Sequence, residues 1–301
     1  MISFHSSRAF LFGAAILALG TSAALGQGAG APRKVSLRFR AMVGAEPFAC
    51  GKSYPNIGKS HTTITPADFA MYVHDVKLLT ADGTQVPLTL DQDGLYQDGT
   101  LALLDFEDGT GPCSNGNAST HTEIRGTAPA GQYTGVSFVI GVPFERNHLD
   151  LTTQPPLLSI TRLFWAWNSG HQFVRVDATS STGKSWVFHL GSTGCTPSGR
   201  SSPPTTCAHG NRVNVSFPQF DVDVDAVVAD LATLFAGVGG SGDESCMSAA
   251  MESACGPMFG VLGLPHPLWG AVGIPYKDSP TGPQTFLRVL AGGASSRTSG
   301  Q

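Results

Sequence analysis

Apolar and polar residues alternate along most of this chain, in short runs that glycine, proline and aspartate interrupt. Successive side chains of a strand point to opposite faces, so such runs predict half-buried β-strands. Turn sequences such as Asp82-Gly83 and Asp93-Gly94 separate several of the runs and are typical of hairpins. The pattern predicts an all-β fold, an antiparallel β-sandwich or barrel. The predicted strands are residues 35–43, 69–79, 85–90, 100–106, 122–126, 135–140, 157–166, 172–178, 185–190 and 212–217.

A helical pattern is confined to the end of the chain. Apolar residues recur at helical spacing within residues 225–235, and residues 248–262 predict a second short helix. Between the last strands, residues 196–206 are rich in serine and proline and predict a loop. We therefore expect short C-terminal helices beside a β-fold.

The start of the chain has the pattern of a secretory signal. Arg8 precedes an apolar run at residues 9–19, and small residues at 24–26 permit cleavage before Gln27. An uncleaved anchor is the alternative, and no later segment has the length of a membrane span. We expect a signal peptide at 1–26, a single β-rich domain at 27–291 and a flexible tail at 292–301.

Charge and cysteine content narrow the classes of function. The formal net charge is −4 and basic residues do not cluster, which gives no support for a nucleic-acid or anionic-membrane partner. All six cysteines follow the signal, and an even number in an oxidising compartment favours disulfides. Proximity favours Cys195–Cys207 and Cys246–Cys255, which leaves Cys50 with Cys113, although other pairings remain open. A cysteine metal site is disfavoured because no Cys-x-x-Cys pair occurs.

Two tryptophans lie between three histidines in the middle of the chain. Trp165 and Trp167 would share one face of a strand, His171 follows them after a turn, and His148 and His189 lie on either side. Taken alone, the tryptophans fit an aromatic pair on a sheet face, and each histidine fits a hydrogen-bonded structural residue.

The order of the motifs resembles the MbnP family, also called the metallo-mystery pair four-Cys motif proteins. The resemblance rests on Asn147-His148-Leu149-Asp150, on Trp165-Ala166-Trp167 and on the run from His189 to Cys195. It continues through residues 50–51, 69–78, 103–107, 141–144 and 246–255, nearly the whole mature chain. Two positions depart from the family pattern: His171 replaces a tyrosine, and Tyr96 stands where tryptophan is common.

The resemblance implies a periplasmic copper-binding protein that is paired with a di-haem cytochrome of the MauG/peroxidase type. In this family the partner oxidises a tryptophan to kynurenine, which takes part in binding Cu(I). Carried over to this chain, Trp165 or Trp167 is the residue that is modified. The protein is then not an enzyme but the substrate of one. The implied copper ligands are His148 and His189, with His171 and His74 as further candidates.

Two carboxylate features add weaker expectations. Asp150 would accept the second ring N–H of a ligating histidine, although a turn-capping role is at least as good an interpretation. The alternating residues Asp221, Asp223 and Asp225 would share a strand face and offer a weak Ca²⁺ site, with solvated carboxylates as the alternative.

Two rival functions stay open on the sequence. The first is a carbohydrate- or surface-binding β-sandwich in which the tryptophan pair is a stacking platform and the histidines are structural. The second is a metal-dependent hydrolase or oxidase, for which Asp150 is the one candidate base.

Overall fold

The structure of the protein, a computed structural model, describes residues 1, 30–166, 168–197, 202–239, 244–249, 252–266 and 282–292. All but the first residue of the predicted signal peptide, and all but the first residue of the predicted tail, lie outside the described residues. Trp167 lies outside them as well.

Strands dominate the described chain, and the helices are short. The strands are β1 (Arg33–Val43), β2 (Glu46–Pro47), β3 (Tyr54–Ile57), β4 (Thr62–Leu79), β5 (Gln85–Pro87), β6 (Thr89–Leu90), β7 (Gln97–Asp98), β8 (Leu101–Asp105), β9 (Glu123–Ala128), β10 (Gly135–Ile140), β11 (Phe164–Ala166), β12 (Gly170–His171), β13 (Val174–Ser180), β14 (Ser185–Leu190), β15 (Thr193–Thr196), β16 (Thr206–His209), β17 (Val213–Phe217), β18 (Ala226–Asp230), β19 (Glu244–Cys246) and β20 (Leu287–Leu290). The α-helices are α1 (Phe144–Asn147), α2 (Leu231–Phe235) and α3 (Cys255–Val261), and 3-10 helices cover Gly111–Cys113, Leu151–Thr153, Pro156–Leu158 and Thr161–Leu163.

Two large sheets form the body of the fold. The first has the order β20-β18-β1-β9-β6, with β2 beside β1, and the second has the order β17-β10-β4-β13-β14-β19. The long strand β4 also pairs with β3, β5 and β8. Most neighbours are antiparallel, but β1 pairs with β18 and β14 pairs with β19 in parallel, so both sheets are mixed.

The core lies between the two sheets. Phe39 on β1 and Phe138 on β10 meet edge to face at 5.7 Å between ring centroids, which joins the inner faces of the two sheets. Both side chains are buried, within a hydrophobic cluster that extends from Val35 to Leu287. The prediction of an all-β sandwich with disulfides and short C-terminal helices is confirmed.

The three disulfides follow the pairing that proximity favours: Cys195–Cys207, Cys246–Cys255 and Cys50–Cys113. The first closes the hairpin of β15 and β16, in which Cys195 and Cys207 are directly opposite each other. The second ties β19 to the start of α3.

Three element predictions are wrong or too long. Residues 226–230 form the buried strand β18 and only residues 231–235 are helical, because a continuous apolar run fits a buried strand as well as a helix. The second predicted helix is limited to Cys255–Val261. The predicted strand 157–166 is replaced by two 3-10 helices and the short strand β11.

The acidic run does not lie on a strand face as its alternation suggested. Residues 222–224 form a turn. Asp221 accepts the backbone N–H of Asp223, and Asp225 accepts those of Asp221 and Gly292. Arg33 pairs with Asp223 at 2.6 Å. These partners account for the carboxylates, so the geometry gives no support for the Ca²⁺ site.

In the described part of the chain, no helix combines the length and the apolar character needed to cross a bilayer.

Candidate metal centre

An open concavity of about 590 Å³ lies at the end of the second sheet. Three segments line it: the turn after β11, the beginning of the β15–β16 hairpin, and the residues that follow β19. The lining residues are Trp165, Asn168, Ser169, Ser192, Thr193, Gly194, Cys195, Met247 and Ala249.

Trp165 forms one wall of this concavity. It lies on β11, is partly exposed, and its ring covers the backbone at Gly191, where an added Cβ would lie 2.4 Å from the indole Cζ3. Its ring centroid is 6.5 Å from that of His189. The absence of a side chain at Gly191 therefore lets the indole approach the imidazole, to which it is tilted by 47°.

His189 carries the most informative atom of the region. It lies on β14 and is buried, and its Nε2 is 2.7 Å from the Oδ1 of Asp177. Its other nitrogen, Nδ1, is buried and has no hydrogen-bond partner among the described residues. Buried polar atoms are nearly always paired, and an unpaired imidazole nitrogen of this kind is able to bind a water molecule or a metal ion.

His148 lies on the far side of the disulfide that borders the concavity. It follows α1, is buried, and places its Nε2 at 3.4 Å from the Sγ of Cys207 and 4.0 Å from the Sγ of Cys195. Phe144 packs against its ring at 5.3 Å. His148 thus lies behind the disulfide and His189 beside the Trp165 ring, and Cys195 and Trp165 are two of the groups that line the concavity.

Groups of potential ligand atoms within 4.8 Å of one another occur twice among the described residues. One contains His148, Cys195 and Cys207, and the other contains Cys246, Glu252 and Cys255. In both groups the cysteines are joined in disulfides, so they offer no thiolate to a metal. The donors that remain are the imidazole of His148 in the first group and the carboxylate of Glu252 in the second.

His171 is placed differently from the other candidates. Its Nδ1 is 3.1 Å from the carbonyl oxygen of Asn147 and its Nε2 is 3.0 Å from that of Leu158. The ring is fully buried, and burial lowers the pKa of His171 below its ordinary value against the opposing effect of these two hydrogen bonds. Both nitrogens face carbonyl oxygens, so in this arrangement the ring holds the turn together and leaves no side open to a metal.

His74 lies apart from the concavity. It is on β4, and its Nδ1 donates to the carbonyl oxygen of Gly141 at 2.8 Å. It lines a separate surface depression with Phe144, Glu145 and Arg212. Burial lowers its pKa, and the hydrogen bond to Gly141 opposes the shift.

Asp150 adopts the capping role. Its Oδ1 accepts the backbone N–H of Thr152 at 2.9 Å and the hydroxyl of the same residue at 2.9 Å, at the start of a 3-10 helix. These bonds lower the pKa of Asp150. Among the described residues, the hydrogen bonds of the Asp150 side chain go to Thr152 and not to a histidine.

Asp177 has the role that the sequence suggested for Asp150: it accepts a ring N–H of a candidate histidine. It lies on β13, one strand away from His189, and accepts from both His189 and Arg175. Burial by itself would raise the pKa of Asp177, but the hydrogen bond from His189 and the charge of Arg175 outweigh it, so the pKa lies below its ordinary value. A signal existed in the sequence: Arg175 and Asp177 alternate with apolar residues and so share one face of the strand.

Residues after β19 form the remaining border of the concavity. They too were not predicted from the sequence. The hydroxyl of Ser248 donates to the carbonyl oxygen of His189 at 2.9 Å and accepts the N–H of Gly191 at 3.0 Å. Ser248 has a positive φ of 65°, which turns the chain at this point. The neighbouring thioether of Met247 is 46% exposed at the rim beside Trp165.

The comparison with known families agrees with this geometry. The sequence model of the MbnP family matches residues 32–248, a region that contains His148, Trp165, His189 and Met247. The chain belongs to the MbnP family. A solved structure described as MbnP from Methylosinus trichosporium is similar, with a TM-score of 0.73 and 28% sequence identity over 86% of this chain and 99% of that one. A search of curated proteins found no match.

Membership of the MbnP family and the three disulfides together indicate a protein of an oxidising compartment outside the cytoplasm. The family and the unpartnered His189 nitrogen also agree with a capacity for metal binding.

Proposed function

We propose that this MbnP-family protein is exported to the periplasm, where it binds Cu(I) between His189 and His148 after a di-haem partner has oxidised Trp165 to kynurenine. The observation that carries the proposal is the buried, unpartnered Nδ1 of His189 beside the Trp165 ring. In this function the protein is a substrate of its partner and a copper carrier or store, not a catalyst.

The donor set fits a monovalent copper ion. Neutral imidazole nitrogens suit copper, and a low-coordinate Cu(I) site needs only two or three donors. The disulfide between Cys195 and Cys207 keeps competing thiolates away from His148.

Oxidation of Trp165 would supply the missing donor. An indole nitrogen has no lone pair available to a metal, whereas kynurenine has an arylamine nitrogen and a ketone oxygen. Two peroxide equivalents at the partner haem deliver two oxygen atoms across the indole C2–C3 bond and leave two waters. Hydrolysis of the resulting formamide then consumes one water and releases formate.

The structure favours Trp165 for this reaction by its position. Its ring is partly exposed in an open concavity, so an electron can pass from it to a docked protein, and it lies beside the imidazole that needs a partner. Trp186, by contrast, is 1% exposed in the core and packs against Phe235.

The test compares protein from cells that express the di-haem partner with protein from cells that lack it. We expect the chain from partner-containing cells to be heavier by two oxygen atoms less one carbon monoxide, and tandem mass spectrometry to assign the change to Trp165. Unmodified Trp165 in those cells refutes the proposal, and conversion of Trp167 instead refutes the choice of Trp165. Quenching of tryptophan fluorescence by an oligosaccharide, without modification, would establish the sugar-binding alternative.

Copper affinity gives the second measurement. Competition against a Cu(I) chelator should show His189→Asn weaker than the unsubstituted, modified protein by at least about tenfold, since a ligand is lost. His61→Asn is the matched control: His61 is exposed, and asparagine tolerates its positive φ of 50°. Equal affinity for both variants would remove His189 from the site.

A further inference from the structure

The hydrogen bond to Asp177 decides which nitrogen of His189 can bind a metal. A carboxylate only accepts hydrogen bonds, so the Nε2 of His189, at 2.7 Å from Oδ1, carries the proton. In a neutral imidazole the other nitrogen then has a free lone pair. That nitrogen is Nδ1, the buried atom without a partner.

Asp177 is itself held in place by a charged neighbour. The Nη2 of Arg175 donates to its second oxygen, Oδ2. Strand register explains the grouping, because Arg175 lies directly opposite His189 and Asp177 lies two residues further along the same face of β13. Asp68 lies opposite Asp177 on β4 and accepts from the Nε of Arg175 at 2.7 Å.

The same group of residues reaches the segment that carries Trp165. The Nη1 of Arg175 donates to the backbone carbonyl oxygen of Arg162 at 2.9 Å. Arg162 lies in the 3-10 helix that directly precedes β11, and its guanidinium bonds to Asp68, Asp105 and Glu107 at 2.7–3.1 Å. One partly buried network therefore holds the imidazole of His189 at one end and the backbone before Trp165 at the other.

We propose that Asp177 is a positioning residue that fixes His189 in the Nε2–H tautomer and so aims Nδ1 at the metal, while Arg175 ties this imidazole to the Trp165 segment. The inference rests on the proposed copper function and adds to it a residue outside the family motifs that the sequence suggested. Carboxylates that orient a ligating histidine typically change metal affinity by about 10- to 100-fold when they are replaced.

The substitution Asp177→Asn is the sharpest perturbation. Asparagine keeps the shape of the side chain, but its amide can present N–H₂ to Nε2, which favours the opposite tautomer with the proton on Nδ1. Asp98→Asn is the matched control, because Asp98 also pairs with an arginine, Arg146 at 2.6 Å, but on the surface and away from the concavity.

The first readout is the tautomer of His189 in metal-free protein, from long-range ¹⁵N–¹H correlation spectra of histidine-labelled samples at mildly alkaline pH. We expect the proton on Nε2 in the unsubstituted protein and in Asp98→Asn, and on Nδ1 in a large fraction of Asp177→Asn. A proton on Nδ1 in the unsubstituted protein overturns the proposal without any variant, so a failure of Asp177→Asn to fold leaves the test intact.

The second readout is Cu(I) affinity of the kynurenine-containing protein by chelator competition. We expect Asp177→Asn to bind about 10- to 100-fold more weakly than Asp98→Asn. Equal affinity for the two variants, with tight binding retained, refutes the positioning role alone. Absence of tight copper binding in the unsubstituted, modified protein refutes the proposed function instead.

Discussion

Gly191 offers the most direct way to disturb the concavity without touching a proposed ligand. In Gly191→Ala the new Cβ would lie 2.4 Å from Cζ3 and 3.0 Å from Cη2 of Trp165, and 3.0 Å from the carbonyl oxygen of His171. Carbon atoms in contact are normally about 3.5–4.0 Å apart. The closest new contact is therefore about 1 Å too short, so either the indole must shift by this amount or the backbone must move.

The effect on stability should be small and the effect on function large. Overpacking typically costs about 1–3 kcal/mol, and a partly exposed ring can tilt outward into the concavity, so we expect about 1 kcal/mol. The same tilt changes the 6.5 Å separation between Trp165 and His189 on which the proposed copper site depends. We therefore expect slower conversion of Trp165 and weaker copper binding in a chain that is still folded.

Urea unfolding measures the stability, tryptophan emission the position of the ring, reaction with the partner the rate of conversion, and chelator competition the copper affinity. Gly260→Ala is the control, because nothing lies within 4 Å of a Cβ at this helical position and alanine favours the helix. The reasoning fails if Gly191→Ala leaves the emission spectrum, the conversion rate and the copper affinity equal to those of Gly260→Ala.

Two further predictions concern stability. The lengths of the loops that the disulfides close predict how much each one stabilises the fold. Removing Cys195–Cys207 should lower the free energy of unfolding by about 3 kcal/mol, and removing Cys50–Cys113 should lower it by about 4 kcal/mol. Replacing both cysteines of the first disulfide with alanine should also weaken copper binding in protein that is still folded, because that disulfide contacts His148, whereas the same change in the second disulfide should not. Equal copper affinity in the two double-alanine variants would contradict this. Burial raises the pKa of Asp105 to about 7, from 3.8, against the attraction of Arg162. Between these two pKa values, the folded protein keeps a proton on this carboxyl group that the unfolded chain has released. The stability that this proton provides is therefore lost as the pH rises from the lower pKa to the higher one. Asp105→Asn should flatten the pH profile measured by urea unfolding, and an unchanged slope would argue against the assignment.

Local alternation predicted the strands well where one face of the sheet is buried. The bounds of β10 and β14 agree with the pattern, because each run is short and ends at a turn. The pattern failed at β18, where all five residues are buried and no alternation exists to separate a strand from a helix. It also failed before β11, where proline and 3-10 turns interrupt an apolar run.

The site was predictable only in part, for a similar reason. His148 and His189 are predicted as ligands from the motifs that carry the family resemblance. Asp177 is not, since its contact with His189 depends on the register between two strands, which the sequence does not state. Asp150 was the nearer carboxylate along the chain, but the turn that starts there uses it as a cap.

The hydroxyl of Ser248 joins two backbone groups of the strand end at His189 and Gly191, although it lies 59 residues after His189 in the chain. Synthesis proceeds from the amino end, so β14 emerges well before the segment that braces it. Contacts of such long sequence separation form late in folding, after the entropy of the intervening loop has been lost. A chain that ends before Ser248 therefore lacks the hydroxyl that braces this edge of the concavity.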